Sequence, residues 1–157
     1  MKKGLFLVML ASMVFSGFTA SAGDGKYYGG TFCQANTESA ITYIRTRAWN
    51  SSTADNWLDC GVVKDTDNSV GSAYVWVVDQ NPNSGKDVKC QLFCLDPNDS
   101  GWWTTEKSSS GSNPSAQQLS LGSVTCGSNT ALELACFVPG SWSGNASGVA
   151  MYKVNEN

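Results

Sequence analysis

The chain has 157 residues, and the first 22 read as an export signal; the remaining 135 make one domain, long enough to bury about two-thirds of its unfolded surface. Without Lys2 and Lys3 that domain carries eight basic against thirteen acidic side chains, net −5, with no Lys/Arg run. This excludes the phosphate-neutralising footprint of nucleic-acid binding and polybasic attachment to anionic membranes. There is no histidine, so Ser-His-Asp and Cys-His catalysis, His-ligated zinc or haem and His-based pH switching are excluded too.

Met1-Lys2-Lys3 is a positive n-region, Gly4 to Phe18 an apolar h-region, and Ala20-Ser21-Ala22 a small-residue cleavage site, which predicts a mature start at Gly23. The apolar run of about 15 residues falls short of the roughly 20 that span a bilayer, and no second one follows. The expectation is a secreted protein, periplasmic or extracellular, with no membrane span and no lipid anchor.

The mature part reads as strand, turn, strand throughout. Ala40–Ala48 is rich in β-formers, and Cys60–Lys64 is short and apolar. In Ala73–Asp79, Val75 and Val77 share one face, with Tyr74, Trp76 and Val78 on the other. In Val88–Leu95, Val88, Cys90, Leu92 and Cys94 oppose Lys89, Gln91, Phe93 and Leu95. Ser108–Ser115 reads as a mobile polar loop and Leu119–Leu121 as a brief apolar stretch. Leu132, Leu134, Cys136 and Val138 oppose Ala131, Glu133, Ala135 and Phe137, and Gly148–Val154 closes the chain. Turn clusters at 65–69, 81–85, 96–101 and 139–145 separate these runs. Short strands at this spacing, with no sustained 3.6-residue period, predict an all-β fold: a single antiparallel β-sandwich, jelly-roll-like, over residues 23–157.

All six cysteines lie in the mature part, and an even count in an exported small domain reads as three disulfides. Cys90 and Cys94 share a strand face and are too far apart to bond each other. Of the possible pairings, Cys33–Cys60, Cys90–Cys136 and Cys94–Cys126 is preferred. Metal ligation is the competing reading, but there is no C-x-x-C pair and no histidine, so no metal or cofactor is assigned.

Cys60-Gly-Val-Val-Lys-Asp65, Val75-Trp-Val-Val-Asp79, Cys90-Gln-Leu92, Cys136-Phe-Val-Pro139 and Tyr152-Lys-Val-Asn-Glu156 follow one another along the chain. In this order they resemble a group of small exported bacterial β-sandwich domains carrying C-P-V/L-x-R/K-D, V-x-V-x-D, C-x-L, C-x-x-P and Y-x-V-x-E motifs. Gly61, where a proline is usual, and the additional Cys94/Cys126 pair depart from that pattern. The resemblance implies a β-sandwich and export, and brings no catalytic residues with it.

Six tryptophans are more than an ordinary core of this size requires. Trp76, in an alternating strand, reads as a core or inter-sheet residue. Trp102 and Trp103 are adjacent, so in a strand they face opposite ways and one points outward. Trp49 and Trp57 flank the polar 50–56 loop, and Trp142 lies in a Gly/Ser turn. These five are the candidate ligand-binding residues. Exposed indoles can stack on sugar rings or anchor a protein interface, or they can simply cover sheet edges and sandwich ends.

Asp79–Asp87 and Asp96–Asp99 offer oxygen ligands, but the glycine spacing and the missing bidentate Glu favour plain hairpin turns over calcium loops. Carboxylate chemistry would need Glu106 beside Glu133 or Asp99, and Glu133, between Leu132 and Leu134, reads as an ordinary solvent-facing residue. Neither G-x-S-x-G nor S-x-x-K occurs. No catalytic residue is assigned. The expected function is an exported non-catalytic binding or adhesion module, with a glycan or a surface protein as partner and the Trp loops as its contacts. The alternative is an envelope or extracellular assembly subunit pairing through an open edge strand, most plausibly Gly148–Val154.

Overall fold

A computed structural model describes residues 25–37, 41–65, 69–98 and 100–156. The expected export signal with its cleavage site, Ala40, part of the 65–69 turn and Asp99 lie outside the described residues. The strands are β1 (Gly25–Gly29), β2 (Cys33–Ala35), β3 (Ile41–Ile44), β4 (Arg47–Asn50), β5 (Asn56–Val62), β6 (Val70–Asp79), β7 (Lys89–Leu95), β8 (Gly101–Trp103), β9 (Lys107–Ser108), β10 (Asn113–Val124), β11 (Ala131–Val138) and β12 (Ser147–Glu156). A single 3-10 turn, Gly30–Phe32, follows β1.

These strands form two antiparallel sheets. Sheet 1 runs β10-β6-β12-β4-β3, with β1 also paired to β12; sheet 2 runs β2-β5-β11-β7-β8, with β9 also on β7. The alternation in the sequence decides which side of each strand is buried. Val75 and Val77 of β6, Leu58 of β5, Leu92 of β7, Leu134 and Val138 of β11, and Val149, Tyr152 and Val154 of β12 fill the space between the sheets. Tyr152 is the largest fully buried side chain; its ring stacks on Tyr28 at 4.9 Å, and its hydroxyl donates to the Gly61 carbonyl at 2.6 Å. A buried phenol without that acceptor would lose about 1–3 kcal/mol.

The three disulfides join Cys33 to Cys60, Cys90 to Cys136 and Cys94 to Cys126. The first two link directly opposed residues of neighbouring strands in sheet 2. The third ties β7 to the segment after β10 and so couples sheet 2 to sheet 1. Such a set belongs to an oxidising compartment. No helix among the described residues is long and apolar enough to cross a membrane.

Four expectations are corrected. The Ala40–Ala48 run, described from Ile41, is a hairpin, β3 and β4, because the chain reverses at Arg45 and Thr46, with Arg45 in the left-handed region (φ 58°). Of the polar loop at 108–115 only 109–112 connects strands; from Asn113 the chain enters the twelve-residue strand β10, which begins fully exposed and carries Leu119 and Leu121 inward. Ser109, inside that supposed loop, is buried. Trp76 lies on the outer face of sheet 1 beside Tyr74 (6.5 Å between ring centroids), because Val75 and Val77 take the inner positions. Finally, Gly148–Val154 is no edge: β12 is the centre of sheet 1, with β6 on one side and β1 and β4 on the other.

Two buried carboxylates hold the ends of the sandwich. Asp79 accepts from the backbone N–H of Asn81 (3.1 Å) and of Val88 (3.2 Å) and from the hydroxyls of Ser147 (3.1 Å) and Ser109, which ties the 80–88 loop to β12 and β9. Its oxygens are therefore occupied by protein donors. At the opposite end Glu156 accepts from the Asp65 backbone N–H (3.0 Å) and from Lys26 (3.0 Å), which also pairs with Asp65 (2.7 Å).

Candidate functional site

The outer face of sheet 2 carries the richest chemistry. Because Leu58, Leu92, Leu134 and Cys136 point inward, their neighbours along each strand point out: Trp57 and Asp59 on β5, Glu133, Ala135 and Phe137 on β11, Gln91 and Phe93 on β7, and Trp103 on β8. Cross-strand register then sorts them into rows. Phe137 lies opposite Trp57, and the two rings meet edge-on at 5.7 Å. Phe93 lies opposite Trp103, with centroids 6.4 Å apart. Phe93 is also opposite Glu133, four residues from Phe137 along β11, so the two aromatic pairs stand about 13 Å apart along the strand direction.

Between them runs a polar strip. Ala135 sits at its centre, flanked across the strands by Asp59 and Gln91. Asp59 and Glu133 are diagonal neighbours across β5 and β11, and their carboxyls face each other. Partial burial pushes both above the ordinary carboxylate range, and for Glu133 the adjacent Asp59 charge adds to the rise. Glu133 thus lies on the solvent side of β11, as its alternation predicts, but half-buried and beside a second carboxyl. Gln91 donates its amide to the Thr104 carbonyl, which orients the side chain along the strip.

The candidate tryptophans disperse. Trp57 and Trp103, 42% and 60% exposed, share the outer face of sheet 2. Trp102 is 57% exposed but on the other side of β8, opposite Cys94 and over Gly127. Trp142 is exposed in a tight turn closed by reciprocal backbone hydrogen bonds with Asn145 (3.0 and 2.9 Å), with Gly144 at φ 80°. That turn is docked on the 50–56 loop, where Ser141 donates to the Ser52 carbonyl at 2.7 Å; a Cβ on Gly140 would lie 2.2 Å from the Thr53 carbonyl oxygen. Trp49 is half-buried on sheet 1, under the Arg47 guanidinium at 5.5 Å. Trp57 and Trp103 therefore share one sheet face, while Trp49, Trp102 and Trp142 stand apart from them.

Glu106 pairs with Lys89 at 3.8 Å, and Lys89 is opposite Phe137, four positions along from Glu133. The Glu106/Glu133 pairing is not formed; the carboxyl pair of this protein is Asp59/Glu133. Sequence spacing does not reveal it, because the partners are 74 positions apart in the chain and meet only through the β5–β11 register. Phe93 and Phe137 were readable, since each is a large aromatic on the polar side of an alternating strand.

The two raised carboxyls predict a pH dependence. With folded-state pKa values above the ordinary 3.8 and 4.5, the folded protein holds protons that the unfolded chain releases, so this pair's contribution to stability falls as pH rises through that window and levels once both groups are ionised. Glu133→Gln keeps a donor to Asp59 but does not titrate. Across melting curves taken from about pH 4 upward, the variant should gain on the parent, reaching about 0.5 kcal/mol near neutrality. Parallel curves would show that Glu133 titrates alike in the folded and unfolded chain.

No protein-family model matches the chain, and no curated protein matches it. Solved structures do. A low affinity xylan binding module, CBM86, from the gut symbiont Roseburia intestinalis superposes with a TM-score of 0.55 at 8% identity, over 86% of this chain and 97% of that one. A family 35 carbohydrate binding module from Clostridium thermocellum aligns at a TM-score of 0.47 and 12% identity, over 83% of this chain and 98% of that one. At these identities the similarity to the first is one of fold: the chain is a β-sandwich of the kind that module has.

Proposed function

We propose that this protein is an exported, non-catalytic carbohydrate-binding module that takes a glycan chain across the outer face of sheet 2. One observation carries the reading: two aromatic pairs, Trp57/Phe137 and Phe93/Trp103, flank the hydrogen-bonding strip of Asp59, Glu133 and Gln91 on one exposed sheet face. Aromatic faces offer apolar, electron-rich surface to the C–H faces of sugar rings, while a few placed polar groups orient hydroxyls. A flat platform suits an extended chain rather than an enclosed monosaccharide. The fold shared with a xylan binding module supports this reading and makes xylan the first polysaccharide to try. Export with cleavage after Ala22 and delivery beyond the cytoplasm complete the proposal, in keeping with the three disulfides.

Titration of the oxidised protein against soluble xylan and a panel of neutral β-glycans, followed by tryptophan fluorescence and calorimetry, tests it. Binding is expected to be saturable. Trp57→Ala/Trp103→Ala should weaken it at least tenfold, about 1.4 kcal/mol, while Trp102→Ala and Trp142→Ala leave it unchanged. A double variant that binds like the parent would overturn the assignment of this face.

A further inference from the structure

On the other sheet the chain gathers its only two arginines, Arg45 and Arg47, at the tip of the β3–β4 hairpin. The protein is net acidic, yet no ion pair among the described residues involves either of them. Both guanidinium groups are on exposed residues and, with Ile44, Thr46 and Trp49, line a cleft of about 510 Å³. Arg47 is held over the Trp49 ring at 5.5 Å, and the left-handed backbone at Arg45 makes the corner of the turn. An L-residue other than Gly or Asn at such a corner is uncommon, so a β-hairpin alone does not account for arginine there. Two uncompensated planar forks beside an indole and an exposed isoleucine (54%) combine carboxylate recognition with apolar surface.

We infer that the hairpin cleft formed by Arg45, Arg47, Trp49 and Ile44 binds the carboxylate of a uronic-acid-bearing glycan, as a second site separate from the sheet 2 face. It rests on the carbohydrate reading only for the class of its ligand. The guanidinium forks take the carboxylate, Thr46 offers a hydroxyl to the ring substituents, and Trp49 and Ile44 supply the apolar wall. A sugar ring, with one apolar and one charged side, uses both halves of the cleft; an acidic peptide uses only the charge.

The test is calorimetric titration of the disulfide-intact protein with a linear oligogalacturonide, the same oligosaccharide fully methyl-esterified, and poly-glutamate. The free-acid oligosaccharide should bind, the ester and poly-glutamate at least tenfold more weakly. Arg45→Ala/Arg47→Ala should lower affinity for the free acid about tenfold or more, and Arg45→Lys/Arg47→Lys should lower it nearly as far although the charge is kept. Both pairs are exposed, and an unchanged melting temperature shows that the fold survives. Undiminished binding by the alanine pair, equal binding of the ester, or poly-glutamate binding as tightly as the sugar would each overturn the inference. Trp57→Ala/Trp103→Ala separates the two sites: it should weaken neutral-glycan binding at least tenfold and leave the arginine-dependent binding intact. Absence of neutral-glycan binding in the parent would remove the sheet 2 reading alone.

Discussion

Cys90→Ala/Cys136→Ala is expected to lower unfolding free energy by about 4 kcal/mol, the largest effect of any change outside the core hydrophobes. The bond closes a 46-residue separation, and in the chain-entropy description opening a loop of that size returns about this much freedom to the unfolded state. Typical domains hold 5–15 kcal/mol in all, so the variant should unfold at much lower denaturant, with a melting temperature reduced by roughly 10–15 °C. Cys90 and Cys136 point into the core, whereas their neighbours Gln91, Ala135 and Phe137 form the proposed binding face. The variant should therefore keep its glycan affinity at any temperature where it remains folded. A denaturant midpoint unchanged to within about 1 kcal/mol would mean that cross-strand pairing in sheet 2 already restricts these residues without the bond.

Asp79→Ala is the second large effect, expected at about 3 kcal/mol, or roughly 10 °C in melting temperature. Asp79 is fully buried, and its removal would strand the Asn81 backbone N–H, deprive the hydroxyls of Ser109 and Ser147 of their acceptor, and leave the Val88 N–H with the Ser109 hydroxyl (2.9 Å) alone. An orphaned buried donor costs about 1–3 kcal/mol, and the two hydroxyls lose a charged acceptor but can rotate toward others, which brings the sum to about 3 kcal/mol. The start of the 80–88 loop should also exchange its amide hydrogens faster, since Asn81 loses the carboxylate that holds it. Asp79→Asn should fall between the parent and the alanine variant, because one carbonyl oxygen still accepts while the amide group faces donors. Equal losses for Asn and Ala would show that charge, not acceptor count, is what these donors require.

Much of the architecture was legible because it is local. Period-two alternation along Val88–Leu95 and Ala131–Val138 is a property of consecutive residues, so the faces carrying Leu92 and Leu134 on one side and Phe93 and Phe137 on the other could be read directly. Export-type cysteine usage and the absence of histidine likewise needed no coordinates. Where the reading failed, a weaker local signal competed. The β-formers of 41–48 hide a reversal at Arg45, where no glycine marks the turn, and the Ser/Asn/Pro composition of 108–115 outweighed the chance that a long edge strand carries a polar solvent face.

The sequence by itself determined an all-β domain, its cysteine framework, the chemistries it lacks, and which residues share a strand face. Only the tertiary structure decided which strands become neighbours. That choice buried β12 at the centre of sheet 1, set Asp59 against Glu133, gathered Trp57, Phe137, Phe93 and Trp103 on one face, and left Trp102, Trp142 and Trp49 elsewhere. The physical reason is that side-chain direction follows from the pleat of a single strand, whereas strand order is settled by burying apolar faces across the whole chain, a sum that no local window contains.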